Sequence, residues 1–340
     1  MSEKLRWGIL GTGNIARQFA AGLRDGARGT LVAVGSRSME SATVFARQFD
    51  VPTAVGDYDA LLERPDVDAV YVSLPNTLHG QWTIRALGAG KHVLCEKPLA
   101  CSEADAVRMF SAARDAGRVL VEAYMYRAHP QTRALLDALA SGTIGELKHV
   151  RTNFCFRVRK TENNIRFDPT LCGGALMDVG GYCLGFSMLL AGSEPTDAHV
   201  QSLRHATGVD EQSSVLLRFE NGLTASFTVG MGLQADNTAM VCGSEGYIEI
   251  AWPWKPARGR SGFVIARQIP PRQDDVSKSP TTVSPREDVS VPVERDLYGI
   301  EADAFAAVVQ DGAAPFVSER ESIAYARWLQ RLRKLAGLTY

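Results

Sequence analysis

Between Leu5 and Ala123, short apolar runs alternate with longer stretches in which apolar residues recur every three or four positions. LRWGIL is followed by NIARQFAAGL, LVAVGS by MESATVFARQF, DAVYVSLP by GQWTIRALGAG, and KHVLCE by SEADAVRMFSAARDAG, before a last run, RVLVEA. Strands alternating with helices of this length predict βαβ units around a parallel sheet buried on both faces. Helix signals agree: Ser102 with Asp105 resembles a capping box, and Gly117 stands where a C-terminal glycine belongs. Residues 1–123 therefore read as a doubly wound α/β domain.

After about Tyr124 the pattern changes. A helix is predicted over Pro130–Ala140, a strand over Leu147–Arg157, and, past a polar loop, a glycine-bounded helix from Gly174 to about Ala191. HVQSLRHAT, SSVLLRFE, LTASFTVGM, TAMVCG and YIEIAW then read as strands, separated by turn signals such as Asn221-Gly222 and Gly243-Ser244-Glu245-Gly246. This predicts an antiparallel sheet with one helical layer against it, in a second domain spanning 124–340. Residues 255–292 hold six of the fifteen prolines and little periodicity, so they read as an exposed excursion between strands, without chemistry of their own. IEADAFAAVVQDG, closed by Gly312, and a helix opened by Ser318 and Glu321 in capping-box spacing end the chain.

Length supports two domains, since 340 residues exceed the usual size of one hydrophobic core. A net charge of −1 and a pI near 6.6 leave no global basic field to hold nucleic acid or an anionic membrane. MSEKLRWGILG lacks the apolar core of a signal peptide and no 18 apolar residues run together, so a cytoplasmic protein is expected. The six cysteines show no CxxC or His/Cys ligand spacing and read as buried free thiols, with no structural metal. His129, His149, His199 and His205 likewise read as structural.

The first strand runs into GTGNIA, a GxGxxA loop opening a helix inside the first βαβ unit. Gly11 allows the tight turn, Gly13 lets the backbone approach a pyrophosphate, and Ala16 permits close helix packing; Thr12, Asn14 and Ile15 complete the cofactor loop. The second strand ends in Ser36, Arg37 and Ser38, where an NAD-binding domain usually carries a carboxylate for the adenosine 2′-hydroxyl. A guanidinium between two hydroxyls suits a 2′-phosphate, which favours NADP over NAD. The competing reading has Ser38 only capping the next helix and Arg37 pointing to solvent.

Ligands of open parallel sheets bind beyond the carboxyl ends of the strands, the edge at which LPNTLH (74–79) and CEKP (95–98) both leave. There the sequence resembles the glucose-fructose oxidoreductase, inositol dehydrogenase and MocA family: GTGNIA, SLPNTLH, EKP, EAYMYRAHP and GGALMDVGGYC match in order and spacing over nearly the whole chain. The resemblance implies a Rossmann domain followed by an α/β domain with a large, open, mostly antiparallel sheet. It implies that Lys97 touches the nicotinamide ribose and the reacting oxygen, that Glu96 helps hold the cofactor, and that Pro98 sets the turn aiming the lysine. Leu74, Pro75, Asn76 and His79 would line the nicotinamide end, and Asp178 and Tyr182 would face the substrate. Tyrosine at 182, where many relatives carry histidine, resembles the branch of dimeric dihydrodiol dehydrogenases and aldose dehydrogenases.

The chemistry is consistent with these roles. Removing hydride from a secondary alcohol requires the hydroxyl proton to leave as well, and a phenol is a poor base at neutral pH unless a nearby cation favours its anion. Lys97 and Tyr182 are therefore expected to act as an acid/base pair. Arg127 is placed near the cofactor, and Asn164, Arg166 and Asp168 near the substrate rim. Trp252 and Trp254 read as a strand edge or subunit contact. The expected function is NADP-dependent hydride transfer on a sugar or cyclic polyol, with trans-dihydrodiol dehydrogenase or a non-catalytic sensor of dinucleotide or sugar as alternatives. A homodimer through the second sheet is also expected.

Overall fold

The computed structural model describes residues 3–267 and 285–339. Its first sheet contains β1 (Leu5–Leu10), β2 (Gly29–Gly35), β3 (Thr53–Val55), β4 (Ala69–Val72), β5 (His92–Glu96) and β6 (Leu120–Ala123), all parallel, in the order β3-β2-β1-β4-β5-β6. The connecting helices are α1 (Asn14–Asp25), α2 (Met39–Phe49), α3 (Tyr58–Leu62), α4 (Asn76–Gly88) and α5 (Glu103–Ala116). Every residue of β4 is buried, as a strand covered on both faces requires. β3 and α3 were not evident in the sequence, being three and five residues long. The order reverses between β2-β1 and β4-β5, which opens the crevice where such folds bind ligands.

α6 (Met125–Ala128) and α7 (Pro130–Ala140) lead to the second sheet. It comprises β7 (Leu147–Cys155), β8 (Pro195–Arg204), β9 (Asp210–Phe219), β10 (Thr224–Gly230), β11 (Ala239–Gly243), β12 (Gly246–Ile250), β13 (Gly262–Arg267) and β14 (Arg286–Ser290). The order is β14-β13-β12-β11-β7-β10-β9-β8, antiparallel except for β7 beside β10. Two of these strands lie inside the stretch expected to be an excursion: β13 and β14 extend the sheet at its edge, while the proline-rich residues 268–284 fall outside the described residues. On β9, Val215, Leu217 and Phe219 are buried while Ser214, Leu216 and Arg218 are exposed, so one face of the sheet packs and the other meets solvent. The packed face receives a π-helical turn, Leu176–Gly180, running directly into α8 (Gly181–Ala191). The 23-residue stretch Pro169–Ala191 that contains it has the length of a membrane span, yet most of it is buried inside the protein.

Two final helices, α9 (Leu297–Asp311) and α10 (Glu319–Leu335), return to the first sheet's layers. α9 crosses α1 at a glycine pair: a Cβ on Gly22 would lie 2.4 Å from Asp296 Oδ1, and one on Gly299 2.5 Å from the Gly22 carbonyl. Asp303 on α9 accepts from the backbone N–H groups of Ala27 (3.0 Å) and Arg28 (2.8 Å) and so fixes the α1–β2 turn. α10 packs on α5 and α8, begun by a complete Ser318–Glu321 capping box. One buried cluster runs from Leu5 to Leu338 through both sheets.

Candidate active site

At the end of β1 the chain turns on Gly11 with φ +104°, and a Cβ there would come 2.8 Å from the Ser73 carbonyl oxygen, so glycine is required. Thr12 continues the turn to Gly13, the N-cap of α1, where an added Cβ would meet nothing within 4 Å. α1 has no side-chain cap and no acidic residue in its first turn. The N–H groups at Asn14 and Ile15 therefore belong to an uncapped, positively polarised helix end with open space before it, and these residues fit a pyrophosphate. At the end of β2, Ser36 is buried while Arg37 and Ser38 are exposed. Ser38 Oγ accepts from the Ser41 N–H (3.3 Å), so Ser38 does cap α2. Arg37 forms no ion pair among the described residues, leaving an exposed guanidinium beside that helix start.

β4 delivers Leu74, Pro75 and Asn76, and β5 delivers Glu96, Lys97 and Pro98. His79 joins the two loops from below: its Nδ1 lies 2.8 Å from the Pro98 carbonyl oxygen and its Nε2 2.8 Å from that of Leu74. Burial pulls this imidazole below its ordinary pKa against the two carbonyl contacts, which act to raise it, and the ring clamps the two loops together. Asn76 Nδ2 donates to the Cys172 carbonyl (2.9 Å), tying the first half of the chain to the second. Glu96 is buried, accepts from Tyr71 Oη and from the Lys97 N–H, and has its pKa raised by burial against the opposing pull of Lys97.

Lys97 crosses to the π-helical turn. Its ammonium donates to the Asp178 backbone carbonyl (2.8 Å) and lies 3.5 Å from Asp178 Oδ1. Arg166 Nε donates to the other carboxylate oxygen at 2.7 Å. Burial penalises the Asp178 anion, but Lys97 and Arg166 outweigh it and hold the carboxyl below its usual range. The same ammonium sits over the Tyr182 ring, 5.3 Å from its centroid, while the hydroxyl donates to Met125 Sδ at 3.4 Å. Burial first, and then Glu96, raises the Tyr182 pKa well above the ordinary phenol value. This corrects the expectation that the lysine draws the phenol toward its anion: the cation meets the ring face, and the hydroxyl end is buried against sulfur. Tyr182 is thus held protonated.

Lys97, Asp178, Arg166 and Tyr182 share a cavity of about 380 Å³ with Phe154, Phe156, Trp252 and Trp254. Trp254 stacks on Phe154 (5.9 Å between centroids, 9° between planes), and Tyr182 meets Phe154 edge-on at 5.1 Å. Both tryptophans, just past the end of β12, line this cavity, Trp252 remaining 58% exposed, and Lys255 at the start of the supposed excursion also lines it. Phe154 and Phe156, two apart at the end of β7, were the signal in the sequence that went unused. Asn237 adds little free polarity, since its amide exchanges two hydrogen bonds with the Cys155 backbone.

Three expected site residues are engaged elsewhere. Arg127 donates to Glu321 (2.8 Å) and the Tyr325 hydroxyl (2.9 Å), binding α6 to α10. Asn164 caps the short turn that carries Arg166, and Asp168 caps the next one. Both therefore support the rim through the backbone.

Two family models match the chain: an oxidoreductase family with an NAD-binding Rossmann fold over residues 5–124, and the GFO/IDH/MocA C-terminal domain over 132–249. Trans-1,2-dihydrobenzene-1,2-diol dehydrogenase of Macaca fascicularis is 38% identical over 256 residues, covering 74% of this chain and 76% of the relative. D-xylose 1-dehydrogenase (NADP(+)) 2 of Haloferax volcanii is 32% identical over 332 residues, covering 98% and 97%. Among solved structures, a 3-ketoreductase from Actinomadura kijaniata in complex with NADP and TDP-benzene superposes with a TM-score of 0.84 at 33% identity, over 98% of both chains. An aldose-aldose oxidoreductase from Caulobacter crescentus complexed with glycerol gives 0.86 at 26%, again over 98% of both.

Proposed function

The chain belongs to the GFO/IDH/MocA oxidoreductase family, and within it we propose an NADP-dependent dehydrogenase that acts on a CH–OH carbon of a cyclic diol, trans-dihydrodiols being the best-fitting class. The observation that carries this reading is the wall of Phe154, Phe156, Trp252, Trp254 and Tyr182 around the charged cluster of Lys97, Asp178 and Arg166, with Lys255 as the one further charge in the lining. A flat apolar ring gains from such aromatic faces, whereas each buried sugar hydroxyl needs its own partner. Arg166 is paired with Asp178 and Asn237 with the Cys155 backbone, which leaves the Lys97 ammonium for the reacting oxygen. A vicinal diol needs few polar contacts.

Bound NADP supplies the hydride acceptor in oxidation and the donor in reduction. Lys97 stabilises negative charge on the reacting oxygen, and Asp178 with Arg166 keeps its ammonium at that place. Tyr182, protonated at neutral pH, serves best as proton donor to that oxygen in reduction; oxidation starts from the minor phenolate form, which takes the substrate hydroxyl proton as the hydride leaves. The exposed Arg37 binds the 2′-phosphate. Residues 1–123 hold the cofactor, residues 124–340 the substrate, and the outer face of the second sheet pairs two copies.

An aldose is the second reading. The cationic rim of Arg166 and Lys255 and the likeness to the xylose dehydrogenase over 98% of the chain favour it. Initial rates with NADP across trans-dihydrodiols and aldoses separate the two: kcat/KM at least about tenfold higher for a dihydrodiol supports the first reading, and the reverse order establishes the second. Cofactor binding without turnover of either class would leave a sensor.

A further inference from the structure

Cys101 follows the CEKPLA segment of the first half, and Cys172 stands in the loop before Gly173 and the turn that carries Asp178. The two thiols lie within hydrogen-bonding reach of each other across the boundary between the halves. A single buried guanidinium serves both segments: Arg333 Nη1 donates to Cys172 Sγ at 3.5 Å and Nη2 to the Cys101 carbonyl at 2.5 Å. On the far side, Asn76 donates to the Cys172 carbonyl. Cys101 also forms part of the wall of a groove of about 360 Å³ between α4 and α5, while Cys172 is buried. Neither cysteine takes part in the chemistry proposed above.

We propose that Cys101 and Cys172 are a peroxide-oxidisable dithiol, with Cys172 the nucleophile and Cys101 the resolving thiol, that closes to a disulfide joining the two halves of the chain. The environment assigns the roles. Cys172 is held below the ordinary thiol pKa, first by the hydrogen bond from Cys101 and then by Arg333 over the opposing effect of burial, while Cys101, as donor, is raised. The other four cysteines all have raised values, from burial, with Cys155 pushed up to about 11. Cys172 thiolate attacks the outer oxygen of a hydroperoxide, the O–O bond breaks, and the alkoxide leaves as alcohol after taking one proton. Cys101 sulfur then attacks the resulting sulfenic sulfur, and its proton departs with the displaced hydroxide as water. Two thiols and one hydroperoxide thus give one disulfide, one alcohol and one water.

The test treats the full protein with a few equivalents of hydrogen peroxide, then counts free thiols and maps peptides by mass spectrometry. The expected result is loss of two thiols of six, a 101–172 cross-linked peptide, and full recovery with dithiothreitol. Cys172→Ser should slow thiol loss at least tenfold, and Cys101→Ser should leave a sulfenic acid at 172 that dimedone traps. Arg333→Lys, which keeps the charge, should retain more of the rate than Arg333→Gln. Oxidation of Cys172→Ser at the wild-type rate, a cross-link to another cysteine, or no thiol loss at tenfold excess each overturns the assignment.

Discussion

At the residue scale the site turns on one ammonium that has three neighbours. Lys97→Met removes the charge aimed at the reacting oxygen but leaves Asp178 its Arg166 partner, so the fold at the turn should survive. Loss of such a transition-state contact is worth roughly 2.7–4 kcal/mol, or about two to three decades in kcat, with cofactor affinity changed only modestly. Single-turnover hydride transfer at saturating NADP measures it; a near-normal rate would mean Lys97 is only the strut for Asp178. Tyr182→Phe should cost a similar amount, and the double variant much less than the sum, since both groups serve one oxygen. At the other end of the cofactor, Arg37→Ala should weaken NADP by roughly 1.5–3 kcal/mol and leave NAD almost untouched, as expected for a charge-assisted phosphate contact. Equal weakening of both in a fluorescence titration would assign Arg37 a structural role. The glycine loop and the turn carrying Lys97 could be located by local rules, a GxGxxA start and a turn beyond a strand, whereas Asp178 and Tyr182 entered only through the family resemblance. The aromatic wall around Tyr182 was not legible, because Phe154 and Trp254 come from distant segments and meet it only through the packing of the second domain.

At the scale of elements, the turn after β5 is held from beneath by the end of β6. Glu122 there is fully buried and accepts the Leu99 N–H at 2.8 Å, just after the CEKP segment. Burial raises its carboxyl from 4.5 to about 7. Below pH 4.5 the group is protonated folded and unfolded alike and costs nothing. Between these two values the unfolded chain ionises first, so the folded state binds more protons and its stability falls as pH rises; above about 7 the whole penalty is present. The penalty amounts to about 3 kcal/mol for such a shift. Glu122→Gln keeps an acceptor for Leu99 and removes the titration. Relative to wild type it should therefore gain about that much stability between pH 4.5 and pH 8 in urea unfolding, and a difference independent of pH would refute the account. Helices with side-chain caps, such as α5 and α10, were readable from the sequence at Ser102 and Ser318. β13 and β14 were not, because prolines flank them and edge strands carry a short apolar signal.

For the whole molecule, the division into a parallel and a mostly antiparallel sheet followed from the change of periodicity near Tyr124. The return of α9 and α10 onto the first sheet did not, since a helix pattern does not say which layer it will cover. That return leaves the second sheet with helices on one face only. On the other, β9, β10 and β7 align Leu216, Ser226 and Arg151 in one row, continued on β11 by Met240. Leu216 is 57% exposed among neighbours of mixed polarity, and the proposed dimer would use this face. A two-fold contact over such a face places the Leu216 rows of two copies against each other, so one substitution acts twice. Leu216→Asp should therefore convert a dimer to monomer in light scattering at micromolar concentration, shifting the dissociation constant by at least about two decades, since two carboxylates would be buried near one another. Hydride transfer should persist in the monomer, because Lys97, Asp178, Arg166 and Tyr182 already come together within one chain. A wild-type protein that is already monomeric under those conditions would remove the dimer, and a Leu216→Asp dimer would move the interface to another face.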